Sequence, residues 1–289
     1  MAEYRGIDVS EYQSEINWEQ VKAAGKSFAI LRCGYGRYAD QKDKRFEQNY
    51  RNAKQAGVAV GAYLFSYAVT VQQAKEEAQN CLNLIKGKQF EYPIIYDVET
   101  PAQQRLGKKA LSEIVTAFCS VLEANGYYVG VYANLNFLQN YLTEEIPKKY
   151  DIWLAQWAAK PTWNGPFGMW QYSATGKVGG INGSVDLDVA YKDYPAIMRK
   201  NGLNGFAKQE NPTPSRPTIY AGKEIYLSQT KLYSSSTTRF ASGRINGTYY
   251  VYSTPAVNGR YRITNKPNKV GRTPVWLNVT GWIDAGEIE

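Results

Sequence analysis

The sequence predicts an α/β protein: an irregular barrel of strands alternating with helices, followed by a small all-β barrel module. Three observations carry this. Short apolar, β-branched runs alternate with helix-length segments through residue 142, the arrangement of parallel βα units. The next strand-like runs, 152–157, 168–173 and 184–188, lie too close together for helices to separate them, among Gly165, Gly168, Gly176, Gly179, Gly180 and Gly183. This region is therefore expected to form an incomplete or distorted barrel ending in hairpin-like strands. After the proline-rich stretch 208–217 only short strand-like runs remain, separated by Gly, Asn and Pro.

In chain order, 6–10 is a first strand, and Asn17 caps a helix closed by Gly25. Strand 27–33 follows, then a helix over 45–56 ended by Gly57, and the strand 58–65. A helix over 72–85 leads to the strand at Ile94. A helix over 112–124, closed by Asn125 and Gly126, leads to the strand 128–132. Residues 134–142 give a short helix, and a last helix spans 191–200. Residues 206–217 read as a semi-rigid linker between a unit over 1–205 and a second over 218–289. In the second unit, 219–220, 224–227, 231–233, 249–252, 260–263 and 276–279 are expected strands.

Composition excludes several chemistries. The chain has 289 residues and no histidine, which removes Ser-His-Asp and Cys-His systems and imidazole-based zinc sites. Acid and base work falls to carboxylates, Tyr or Lys. Cys33, Cys81 and Cys119 lie apart in apolar segments, as buried thiols would, so no disulfide framework, metal site or cofactor is expected. No signal peptide is visible and no run reaches transmembrane length, so no membrane insertion is expected. Net charge is +8, split unevenly: residues 1–205 hold 23 basic and 21 acidic side chains, residues 206–289 hold 11 and 5. A basic tail suits an anionic polymer, and without an aromatic-basic consensus or helix-turn-helix it does not indicate nucleic acid.

Residues 92–100 (YPIIYDVET) form an apolar strand ending in two acids. The i, i+2 spacing puts Asp97 and Glu99 on one face. Like charges so placed raise the pKa of the drier group and leave the other ionised, and one proton donor beside one anion suits glycosidic bond cleavage. The same residues also read as a strand end entering a helix, with Thr100 as N-cap and Pro101 at N1.

The segments GIDVSEYQ (6–13), FAILRCGYG (28–36), VGAYLFSY (60–67), YDVE (96–99) and VDLD (185–188) occur in an order that resembles family 25 glycoside hydrolases. The resemblance covers residues 4–200. It implies an irregular, TIM-like (β/α) barrel and a muramidase, or lysozyme, that cleaves the β-1,4 bond between N-acetylmuramic acid and N-acetylglucosamine in peptidoglycan. It assigns Glu99 as general acid and Asp97 as the assisting carboxylate, with Asp8 and Asp186 as further acids in the same cleft. Tyr63, Phe65, Tyr132, Gln156, Trp157, Trp170 and Gln171 are expected to form the sugar-binding surface, with Tyr63 and Trp157 foremost.

Many relatives carry His where this chain has Leu64, a position that alternates away from Tyr63 and is expected to face a helix. The tail resembles SH3-like wall-binding modules, which implies anionic or carbohydrate wall polymers as partners. A phage or prophage endolysin is implied, made in the cytoplasm and reaching the wall through a holin-type lesion or lysis. A non-catalytic wall-binding protein is the alternative, against which the retained acids argue.

Overall fold

Eight strands, most of them with apolar side chains on both sides of the sheet, close into a barrel. In the computed structural model, which describes residues 3–208 and 219–288, these strands are β1 (Tyr4–Val9), β2 (Phe28–Tyr35), β3 (Ala59–Phe65), β4 (Ile94–Asp97), β5 (Val129–Asn134), β6 (Asp151–Ala155), β7 (Met169–Gly176) and β8 (Val185–Ala190). They pair in sequence order, and β8 returns to β1. Phe28, Ile30, Ile95, Trp153 and Met169 fill the barrel together with Tyr92 and Tyr194. Residues of the other parity, among them Leu31, Leu64, Ile94, Val131 and Leu154, pack outward in the larger core that includes the helices. Leu64 thus takes the outward place expected of it.

The helices are α1 (Trp18–Ala23), α2 (Phe46–Gln55), α3 (Val71–Ile85), α4 (Pro101–Gln104), α5 (Lys108–Ala124), α6 (Leu135–Asn140), α7 (Glu145–Lys149) and α8 (Tyr194–Asn201). Asn17 and Thr70 cap α1 and α3 by accepting from the backbone N–H of Gln20 and Gln73. Helix α5 begins at Lys108, ahead of the expected Ser112. Gly107, at φ +77°, supplies the turn into it, and the Ser112 hydroxyl instead accepts from Thr143 N–H at 2.9 Å.

The barrel departs from a (β/α)8 pattern. Strands β1 to β7 run parallel, but β8 is antiparallel to both β7 and β1. No helix separates β6 from β7 or β7 from β8. A parallel return needs a crossover connection, whereas the short turn after β7 permits only a hairpin. The expected distortion is present, but the barrel is complete rather than open.

Residues 219–288 form a separate unit. Its strands β9 (Glu224–Leu232), β10 (Gly243–Val257), β11 (Arg260–Thr264) and β12 (Gly281–Asp284) make an antiparallel sheet in the order β12-β11-β10-β9. The sheet curls until Tyr233 bridges Trp282, over a core of Ile225, Leu227, Val251, Ile263 and Ile283. Two expected strands differ. Residues 219–220 form no strand, and Trp276–Val279 instead falls on a one-turn helix, α9 (Val275–Asn278), which starts after Pro274 and leaves Trp276 and Leu277 exposed. The linker expected over 206–217 lies mostly outside the described residues, and its first residue, Phe206, packs against the barrel core.

The chain after α8 is tied to the barrel by Asn204. This fully buried residue, at φ +54°, accepts from Tyr128 N–H at 2.7 Å and donates to the Tyr92 carbonyl at 2.8 Å, joining the entries to β4 and β5. Asn204→Leu would orphan both groups and strain the backbone, so the barrel's unfolding free energy should drop by roughly 3–5 kcal/mol. Urea unfolding followed by tryptophan fluorescence checks this, and a loss below about 1 kcal/mol would show that the clamp contributes little.

Candidate active site

Strand alternation decides which side chains reach the barrel mouth. Asp8 stands two residues beyond Gly6 on β1, Arg32 two beyond Ile30, Asp97 two beyond Ile95, and Gln171 two beyond Met169. Each continues an inward row past the apolar filling. Because β8 is antiparallel, its N-terminal end meets the C-terminal ends of the other strands, and Asp186 lies directly opposite Asp8 in register. These residues surround a cavity of about 370 Å³, walled also by Tyr63, Phe65, Glu99, Tyr132, Trp153 and Trp157. A larger groove, of about 760 Å³, lies between α1, α2 and the turn after β7, with Glu15 and Glu19 as its ionisable groups. The carboxylate cluster is in the smaller cavity.

All the acids facing this cavity are pushed upward. Burial raises Asp97 well above the carboxylate range, the charge of Glu99 adds to this, and Arg32 opposes it. Glu99 is raised by its partial burial and by Asp186. Asp8 is raised well above its ordinary value by burial and then by Asp188 and Asp186, against a hydrogen bond from Gln171. Burial also raises Asp186. The drier member of the Asp97/Glu99 pair is therefore Asp97, and one of its oxygens is buried with no hydrogen-bond partner among the described residues.

Gln171 organises one wall. Its amide oxygen accepts from Tyr132 Oη at 3.1 Å and Trp157 Nε1 at 3.0 Å, while its nitrogen donates to Asp8 Oδ2 at 2.8 Å. Trp157 is 66% exposed, so its ring is held at the rim as an open platform. On the opposite wall the Arg32 guanidinium donates to Asp43 at 2.8 Å and Glu11 at 3.0 Å and lies 4.9 Å from the Tyr12 ring centre.

Of the expected residues, Asp8, Asp97, Glu99, Asp186, Tyr63, Phe65, Tyr132, Trp157 and Gln171 meet at the cavity. Gln156 and Trp170 do not. Each precedes an inward-facing neighbour and so faces the other way: Trp170 packs in the outer core and donates to the Gln156 carbonyl, and the Gln156 amide is bonded to Thr162. Arg32, Trp153 and Asp188 are among the participants that were not expected, although each shares parity with a residue already facing inward. Among the described residues no group of His, Cys, Asp and Glu is arranged to hold a metal ion.

Asp188 lies beneath the cavity, fully buried, accepting from Trp153 Nε1 at 2.9 Å, with no hydrogen-bond partner for its other oxygen among the described residues. Burial pushes it up to about 8. The folded protein therefore holds a proton there that the unfolded chain has released, and the stability this gives is lost as pH rises from the ordinary carboxylate range through about 8. Asp188→Asn keeps an acceptor for Trp153 but cannot ionise. Its thermal midpoint should fall less than the wild type's over that window, and superimposable pH profiles would overturn the assignment.

The model of the glycosyl hydrolases family 25 matches residues 7–181. Lysozyme M1 of Streptomyces globisporus is 33% identical over 201 residues, covering 63% of this chain and 66% of its own. The autolytic lysozyme of Clostridium acetobutylicum is 31% identical over 186 residues, covering 64% and 55%. The match thus spans less than two thirds of the length of either relative. The crystal structure of the CTP1L endolysin superposes with a TM-score of 0.61 at 25% identity, covering 68% of this chain and 70% of that one. A family model matching more than half the chain, over a segment that holds every residue lining the acidic cavity except Asp186, places this protein in glycosyl hydrolase family 25.

Proposed function

We propose that the barrel unit is a muramidase cleaving the β-1,4 bond between N-acetylmuramic acid and N-acetylglucosamine, with Glu99 as general acid and Asp97 as the assisting carboxylate. The observation that carries this reading is the pair of raised carboxyls, Asp97 and Glu99, facing one aromatic-walled cavity. Adjacent carboxyls cannot both ionise cheaply, so the pair retains a proton at a pH where isolated acids are bare. Burial favours Asp97 as holder of that proton in the free cavity, so the acid role of Glu99 requires the proton to pass to Glu99 when the sugar binds; Glu99 then gives it to the glycosidic oxygen as the bond to the anomeric carbon breaks. Positive charge then develops beside the Asp97 oxygen that has no partner among the described residues. Water attacks the anomeric carbon and returns a proton to Glu99. Asp186 shapes the field around the pair, Asp8 lines the same cavity opposite Asp186, and Arg32 offsets the negative charge that remains. Tyr63, Phe65 and Trp157 supply ring faces for the sugar.

The second unit is proposed to be an SH3-like targeting module for anionic or carbohydrate wall polymers, and the whole chain a phage or prophage endolysin. Support comes from the basic charge of residues 206–289, from the exposed Tyr226, Phe240 and Trp276, and from the likeness of the barrel unit to an endolysin. In this view the enzyme is made in the cytoplasm and reaches the wall when the cell is lysed.

Glu99→Gln keeps shape but cannot protonate the leaving group, so kcat on purified peptidoglycan should fall by about 10²–10⁴ with folding unchanged. A folded Glu99→Gln protein releasing reducing muramic acid ends at the wild-type rate would refute the assignment. Truncation after Lys208, which keeps Phe206 in place, should spare turnover of soluble glycan fragments while reducing binding to and lysis of whole walls, since tethering acts through local concentration. Equal loss on both substrates would show that the tail completes the cleft instead.

A further inference from the structure

Beside the acidic cavity, at the same end of the barrel, the loops after β2 and β3 enclose a second pocket of about 250 Å³. We propose that this pocket continues the glycan-binding surface and takes a further saccharide unit of the bound strand. The proposal rests on the glycan-cleaving reading above and extends it to chain length.

Tyr67 joins the two spaces. Its ring stands edge-on to Phe65, which walls the acidic cavity, with centroids 5.1 Å apart, and it also lines the second pocket. Tyr38 lies on the same pocket. Both tyrosines are more than half exposed, at 55% and 56%, yet both are held. Glu77, buried behind them, accepts from Tyr67 N–H at 2.8 Å, Ser66 Oγ at 2.8 Å and Tyr96 Oη at 2.6 Å. The Asn80 amide donates to the carbonyls of Gly36 and Tyr38 at 3.1 and 3.0 Å, and Gly36 N–H donates to the Phe65 carbonyl at 2.9 Å. Exposed rings carried on a backbone fixed in this way give binding area at reduced ordering cost.

The polar groups select the ligand class. Arg37 is occupied by Glu76 at 3.1 Å and by the Tyr38 hydroxyl at 2.8 Å, and it lies 5.0 Å from that ring's centre, so the pocket offers no free cation among the described residues. With that cation already paired and the Glu77 carboxyl also lining the pocket, an anion is disfavoured there. The amide oxygens of Gln41 and Gln73 accept from backbone N–H groups at 2.9 and 2.8 Å, which fixes both amides and leaves their NH₂ groups without partners among the described residues. Aromatic faces beside neutral amide donors suit a sugar, whose C–H faces stack on rings and whose hydroxyl and acetamido oxygens accept hydrogen bonds.

The test uses the full-length protein and peptide-free glycan strands in two length classes, tetrasaccharides and long chains. The ratio of kcat/KM for long over short chains is measured for wild type and for Tyr38→Ala and Gln73→Ala, each checked for an unchanged thermal midpoint. The expected result is a ratio about five- to tenfold lower in Tyr38→Ala, carried by KM, as loss of one ring contact would give, and a smaller drop in Gln73→Ala. An unaltered ratio in both folded variants overturns the proposal. So does a change seen only when the strands carry peptide stems, which would make this a stem pocket. A wild type that cleaves neither glycan removes the muramidase reading itself, and this extension with it.

Discussion

Holding five carboxyl groups around one cavity is the constraint on which the rest of the barrel depends. Asp8, Asp97, Glu99 and Asp186 line it and Asp188 lies below. Their mutual repulsion and desolvation would push the mouth apart unless protons, dipoles and one cation offset them. Each device is visible. Gln171 donates to Asp8, Trp153 donates to Asp188, and Arg32, itself held by Asp43 and Glu11, faces Asp97. The remaining imbalance is met by retained protons. A site that must retain a proton to stay assembled is already poised to donate one.

The same arrangement explains the aromatic walls. Tyr132 and Trp153 stand edge-on to each other at 4.7 Å, and Trp153 meets Tyr63 at 6.2 Å. Rings exclude water without adding charge, which deepens the desolvation that raises the acids, while Tyr132 and Trp153 still donate hydrogen bonds from their edges. Apolar filling and acidic mouth are thus successive layers of the same inward rows.

Much of this was legible in the sequence. The strands and main helices followed from period and caps, and the acids from spacing and from ordered motifs. What failed did so for identifiable reasons. Choosing both Gln156 and Trp157, and both Trp170 and Gln171, ignored the alternation that lets only one of each pair face inward. The same alternation puts Asp188 two residues beyond Asp186 and Arg32 two beyond Ile30 on the inward rows. Closure of the barrel was not legible, because no local pattern states that β8 pairs with β1. In the tail, Trp276–Val279 has strand composition but follows a proline that starts a helical turn, and its exposure denies it the packing that stabilises a strand.

The pairing of first strand with last also fixes when this protein can become itself during synthesis. Of the barrel strands, β1 leaves the ribosome before the others, and its edge away from β2 stays unpaired until β8 emerges. An unpaired edge of this kind is a site for wrong pairing, and so distant a contact closes slowly. Asp186 and Asp188 arrive on that same final strand. The acidic cluster therefore comes together in the step that seals the barrel, and a nascent chain stopped short of β8 would present neither a closed fold nor a complete cavity.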